Sequence, residues 1–198
     1  MPSLILIGPP GAGKGTQKEK IIGKYNIFPI VPGDLMRAEI KNRTEIGLRL
    51  ADYVNKGLLA PHEIAMQVVE KKINEYKNQG VKNLLFDGFP REIEQADALD
   101  EIFKIQENII FEVKCVLLFK VNDRMVVERI KKRALTSGRA DDAKDEVIKT
   151  RLNIFHEKIS KVIEKYEKLG LLYAIEGEGN ENDVFEKIDS IISENFFK

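Results

Sequence analysis

The chain has 198 residues, 43% of them hydrophobic, enough for one globular domain with a core of its own. Lysine plus arginine and aspartate plus glutamate both number 32, so the formal net charge is zero. That excludes the basic excess of a general nucleic-acid binder, and any cationic site must be assembled locally from a few side chains.

Short apolar runs alternate with helical patterns along the chain. Strands are expected at Leu4–Ile7, Phe28–Val31, Asn83–Phe86, Cys115–Phe119 and Leu171–Ile175, all rich in Ile, Leu, Val or Phe. Continuous apolar runs of this kind suit strands buried on both faces, as in a parallel sheet covered by helices. Helices are expected at about Lys14–Lys24, Asp34–Asn42, Ile46–Asn55, His62–Asn78, Ile93–Gln106, Asp123–Arg133, Ala143–Leu169 and Asn182–Phe196, with Gly80 and Gly170 as helix stops. Five strands alternating with helices read as a doubly wound α/β domain. Residues 34–79 hold too much helix for one crossover and suggest a helical insertion; residues 134–143 read as a short polar loop between helices. Cys115 is the only cysteine, within the apolar run 113–119, and reads as a buried inert thiol; no disulfide framework is possible within the chain. No basic segment followed by a long apolar one opens the chain, and no run reaches membrane-spanning length, so a soluble, cytoplasmic protein is expected.

The stretch Gly8-Pro9-Pro10-Gly11-Ala12-Gly13-Lys14-Gly15-Thr16-Gln17 follows the first strand and opens the first helix. Its glycines let backbone N–H groups approach an anion closely at a helix N-terminus, and Lys14 adds a charge that can reach outer phosphates. The general phosphate-loop pattern has Ser or Thr directly after the lysine. Here that position is Gly15, and Thr16 carries the hydroxyl.

Three further groups converge on the same end of the sheet, where ligands of open α/β folds bind. Asp87 follows a buried strand in Asp87-Gly88-Phe89-Pro90-Arg91, a position suited to facing a nucleotide's Mg²⁺, and Arg91 points to a second anion. Gly33-Asp34-Leu35-Met36-Arg37 follows the second strand, with Asp34 expected as the N-cap and Arg37 one turn on. Arg129, Arg133, Arg139 and Arg151 bracket a loop carrying Asp141 and Asp142. Each taken alone is an ordinary solvated arginine. In this company they suit a lid over a polyphosphate, because the guanidinium fork binds anions bidentately. His62 and His156 read as surface residues, and Ser137 and Ser160 have no neighbouring base to make them nucleophiles.

With these four motifs the chain resembles, end to end, the adenylate kinases among the nucleoside monophosphate kinases. The Gly-Lys-Gly-Thr variant at 13–16 is itself the form those kinases use. The resemblance implies a phosphate-loop NTP hydrolase-type doubly wound sheet of about five parallel strands. It further implies an NMP-binding insertion at about 34–79, a short lid at about 134–143, and a core of 1–33, 80–133 and 144–198. The implied reaction is reversible Mg²⁺-dependent transfer, ATP + AMP ⇌ 2 ADP, without structural zinc; nothing in the sequence marks a dimer surface, so a monomer is expected. On this analogy Gly11, Ala12, Gly13, Lys14, Gly15 and Thr16 hold the donor phosphates, with Mg²⁺ held through water near Asp87 and Thr16. Arg129 and Arg133 face the donor nucleotide and Gly179 touches its base through backbone. Arg37, Arg91, Arg139 and Arg151 surround the transferring group and acceptor phosphate. Pro32, Leu58, Leu59, Ala60, Gly88, Phe89 and Pro90 line the acceptor site, and Asp141 and Asp142 take part in lid closure.

Uridylate–cytidylate kinases share this architecture, so the acceptor must be argued separately. Gln95 matches the glutamine that reads adenine in adenylate kinases, where pyrimidine kinases usually carry Asn; its amide can donate and accept at once. Pro32 departs from the usual Thr and supplies neither hydroxyl nor N–H. Lys158-Ile159-Ser160-Lys161 departs from the Thr-x-Pro of short-lid relatives. A catalytically degenerate nucleotide-binding module is the remaining alternative, against which the retained Lys14, Asp87 and arginines count. No Asn-Lys-x-Asp guanine motif is present.

Overall fold

The structure, a computed structural model, describes residues 2–105, 112–137 and 140–197. Five strands form one all-parallel sheet: β1 (Pro2–Ile7), β2 (Phe28–Ile30), β3 (Leu84–Asp87), β4 (Glu112–Lys120) and β5 (Leu172–Glu176). The spatial order is β2-β3-β1-β4-β5, so the first strand lies in the middle, paired with β3 through Leu4–Leu85 and with β4 through Ile5–Val116.

Side chains alternate across the sheet, as the two-residue period of a strand requires. Ile5, Ile7, Phe86, Val116 and Leu118 face one side and pack with Val69, Ile73, Leu99, Val162 and Tyr166. Leu4, Leu6, Leu85, Cys115 and Leu117 face the other and pack with Ile21, Val184, Ile188 and Ile192. The helices supplying the first set are α4 (His62–Asn78), α5 (Ile93–Ile105) and α7 (Asp145–Lys168); α1 (Lys14–Lys24) and α8 (Glu181–Asn195) supply the second. Both faces are therefore dry, which explains why these strands read as unbroken apolar runs. Burial pushes the Cys115 thiol up to about 12, consistent with an inert core residue.

Between β2 and β3 stand α2 (Pro32–Lys41), α3 (Glu45–Lys56) and α4, with a small core of their own built from Met36, Leu50, Ile64 and Ala65. Thr44 caps α3: its Oγ1 accepts from Gly47 N at 3.0 Å. Gly80 and Gly170 end α4 and α7 with φ of 72° and 68°, as expected of glycine stops.

Two boundaries differ from the sequence expectation. Asp34 is not the N-cap of α2: the helix opens at Pro32, with Val31 at the cap and no side-chain cap bond. Proline's fixed φ suits the first helical position and its missing N–H costs nothing there, so the helix gains two residues upstream. The helix expected to stop at Arg133, α6 (Asp123–Ser137), runs four residues further before a short 3₁₀ turn at Ala140–Ala143. Ala134 and Leu135 are good helix formers and extend it.

Candidate functional site

The carboxyl ends of β1, β3 and β4 open into a cleft of about 790 Å³. The loop after β1 leads into α1 through Gly13, whose φ of 93° and cap position demand glycine. Lys14 is folded back over this loop, Nζ donating to Gly8 O at 2.7 Å and Pro9 O at 2.9 Å. Its burial lowers the ammonium to about 8, although the Asp87 carboxylate opposes the shift; Arg91 and Arg133 add to it. A desolvated lysine amid arginines is a site short of negative charge.

Gly11, Ala12, Gly13, Lys14, Gly15 and Thr16 line the cleft, and so do Arg37, Arg91, Arg129, Arg133 and Arg151. Each arginine stands on a different footing. Arg129 is held by a backbone carbonyl, Nη1 and Nη2 both donating to Gly177 O at 3.0 Å. Arg133 and Arg151 grip the two oxygens of Asp142, Nε to Oδ2 at 2.7 Å and Nη1 to Oδ1 at 2.6 Å, and Asp142 is fully buried. One carboxylate thereby ties α6, the 3₁₀ turn and α7 together. Arg37 Nη2 donates to Asp34 Oδ1 at 2.6 Å. Arg91 donates from Nε to Gly88 O at 2.8 Å. Arg91 stays exposed to the cleft, and desolvation by the surrounding walls lowers its guanidinium to about 10; Arg151 adds to the shift and Asp87 opposes it. It stays charged at neutral pH.

Asp87, at the end of β3, lies 3.9 Å from Lys18 Nζ with its side chain 11% exposed. Its carboxylate and the Thr16 hydroxyl, two hard oxygen donors beside a phosphate-binding loop, fit Mg²⁺, which takes few protein ligands and fills its sphere with water and phosphate oxygens. Among the described residues there is no cluster of three or more His, Cys, Asp or Glu that could hold a metal by itself.

The remaining expected residues line the same cleft: Pro32, Leu58, Leu59, Ala60, Gly88, Phe89, Pro90 and Gln95 on the side of α2–α4, and Gly179 on the side of α8. Arg139 lies outside the described residues, as does the side chain of Asp141. His62 departs from expectation: it is half-buried at the start of α4, drawn inward with the buried Ile64–Met66, and its Nδ1 has no hydrogen-bond partner among the described residues. His156 is exposed and contacts Asp123 at 3.0 Å.

Sequence reasoning misses three contributors. Gly177 packs so closely that a Cβ there would stand 2.6 Å from Val121 Cγ2 and 3.1 Å from the Ala12 carbonyl, so the loop after β5 lies against the phosphate loop only with glycine at this position. Gln17 is 3% exposed and braces the start of α8, Nε2 donating to Glu181 O at 2.9 Å. Glu92 accepts from the Gln95 amide at 3.3 Å. Only Gly177 leaves a sequence signal, the Glu-Gly-Glu-Gly turn at 176–179.

A family model described as adenylate kinase matches residues 6–171. The chain belongs to the adenylate kinase family. Its relatives include an adenylate kinase of Flavobacterium psychrophilum, 35% identical over 98% of this chain and 99% of that one. Adenylate kinase isoenzyme 1 of Caenorhabditis elegans is 38% identical over 93% of this chain and 84% of that protein. An adenylate kinase of Bacteroides thetaiotaomicron is 37% identical over 95% and 96%. Relatives of this name thus occur both in bacteria and in an animal. No helix among the described residues is long and apolar enough to cross a membrane.

Proposed function

We infer that this chain catalyses reversible phosphoryl transfer from ATP to AMP, giving two ADP. The observation that carries this reading is the gathering of Lys14 and five arginines, from five segments of the chain, around one cleft headed by the phosphate loop. Phosphoryl transfer asks a protein chiefly to align two anions and offset charge on the moving group, and it needs no protein nucleophile.

The backbone of Gly11–Thr16 and the Lys14 ammonium hold the donor phosphates, with Arg129 and Arg133 above them. The donor base lies against Gly177 and Gly179. Arg37 grips the acceptor phosphate, and Arg91, Arg139 and Arg151 surround the transferring group. The acceptor base lies against Pro32, Leu58–Ala60 and Gly88–Pro90, with Gln95 reading its edge. Asp87 and Thr16 hold Mg²⁺ through water; the ion supplies further charge stabilisation to the phosphates when bound. As phosphate arrives, Arg133 and Arg151 exchange Asp142 for phosphate oxygens, and the segment 134–143 closes over the cleft. Closure excludes water, the competing phosphoryl acceptor. The insertion 34–79 moves with the acceptor as a unit, and the enzyme works as a cytoplasmic monomer.

The test is a side-by-side acceptor assay with ATP, Mg²⁺ and each of AMP, UMP, CMP and GMP. Dominant turnover of AMP is expected, with Pro32 tolerated. A preference for UMP or CMP overturns the acceptor assignment, and absence of ADP formation above background overturns the activity.

A further inference from the structure

A glutamine amide presents a donor at one corner and an acceptor at the other, so its orientation decides which base edge it matches. Gln95 is 3% exposed and lines the acceptor side of the cleft. Two neighbours touch it. The Arg91 backbone N–H, which can only donate, lies 2.9 Å from Oε1. The Glu92 carboxylate, which when ionised can only accept, lies 3.3 Å from Nε2. The other Glu92 oxygen faces Lys158 Nζ at 3.5 Å, which leaves Oε1 to the amide. Both contacts require the same orientation. A flipped amide sets N–H against N–H at one end and oxygen against carboxylate at the other.

We propose that Glu92 is a specificity-determining positioning residue: it locks the Gln95 amide so that one N–H and one oxygen lone pair remain for a 6-aminopurine edge. The proposal rests on the reading of Gln95 given above and names what sets its selectivity. A 6-aminopurine offers a ring-nitrogen acceptor beside an amino donor, which the locked amide complements. A 6-oxopurine offers the reverse, a carbonyl acceptor beside a ring N–H donor, and meets two like-with-like contacts. Lys158 acts one step further back, keeping Glu92 in place from α7, the helix that also carries Arg151. The glutamate lies three residues before Gln95 and is 14% exposed, so it touches the base only through the amide.

The experiment compares AMP with IMP as acceptors, ATP and Mg²⁺ held constant, for the unaltered enzyme and for Glu92→Gln, Glu92→Ala and Gln95→Ala. Glu92→Gln should lower the ratio of kcat/KM for AMP over IMP about tenfold, because a neutral amide at 92 tolerates both orientations of Gln95 while the Arg91 N–H still favours one. The loss should appear as a raised KM for AMP with kcat little changed. Glu92→Ala supplies the same reading should the isosteric variant fold poorly. If Gln95→Ala lowers selectivity and neither Glu92 variant does, the positioning role is overturned. A Glu92 variant that weakens both acceptors equally is merely structural and overturns it too. If Gln95→Ala itself leaves the ratio unchanged, the reading of Gln95 fails, and that failure is distinct from the first.

Discussion

The two sides of the cleft are built on different foundations. The phosphate-loop side rests on the middle of the sheet: β1 is paired on both edges, Leu4, Ile5 and Leu6 are fully buried, and the loop it carries is braced by Gly177, which Arg129 holds. The wall that carries Pro32 and Leu58–Ala60 rests on α2, α3 and the start of α4, packed round the small core of Met36, Leu50, Ile64 and Ala65. A sheet interior fixes atoms on which chemistry depends, whereas a few buried side chains between short helices can be opened at little cost. On the proposed reading, the donor phosphates meet the firmer wall and the acceptor enters past the softer one.

Substitutions on either wall should separate the two. The largest effects belong to the charges: Lys14→Met and Arg91→Ala should each lower turnover about 10²–10³-fold with no loss of thermal stability. Near-normal turnover in either variant removes that residue from the site. Next comes Leu50→Ala, which empties the centre of the insertion core and should destabilise it by about 2–5 kcal/mol. KM for AMP should rise well above its ordinary value while KM for ATP moves little; equal changes in both would show that the two walls are not independent. Thr44→Ala removes the cap of α3 and should cost about 1 kcal/mol, measured by urea unfolding.

The smallest effect is a proton count. Burial lowers Lys14 to about 8 in the free protein, and polyphosphate beside it should raise that value. Binding near pH 8–9 should therefore take up a fraction of a proton, seen by calorimetry in buffers of different ionisation enthalpy, and kcat/KM for ATP should fall above pH 8. For stability the sign is opposite. A lysine lowered from 10.5 to about 8 disfavours the folded state fully below pH 8, and the penalty is relieved as pH rises toward 10.5. Proton release on binding would contradict the first of these.

Much of this architecture is legible in the amino-acid sequence. The five strands are readable because both faces of the sheet are dry, so each strand is an unbroken apolar run. The phosphate loop, Asp87 and Arg37 are readable because each follows a strand end in sequence. Strand order is not, since Leu4 does not record that its neighbours are Leu85 and Cys115. The start of α2 is misplaced because Asp34 is a good cap by residue type, and Pro32 proves the stronger signal. The roles of Gly177, marked in sequence only by its glycine-rich turn, and of Glu92 escape sequence reading for a different reason. Their importance lies in what approaches them from elsewhere, Ala12 and Val121 in one case and the Gln95 amide in the other.

The central place of β1 also has a consequence for the birth of the protein on the ribosome. The strand is made first, yet its partners at residues 84–87 and 112–120 emerge much later. Synthesis at roughly 5–20 residues per second leaves it with two bare edges for several seconds, the state in which strands aggregate or recruit chaperones. Fragments truncated before β4 should therefore be insoluble, and slowing translation between β1 and β4 should lower the yield of active enzyme more than slowing it within α8.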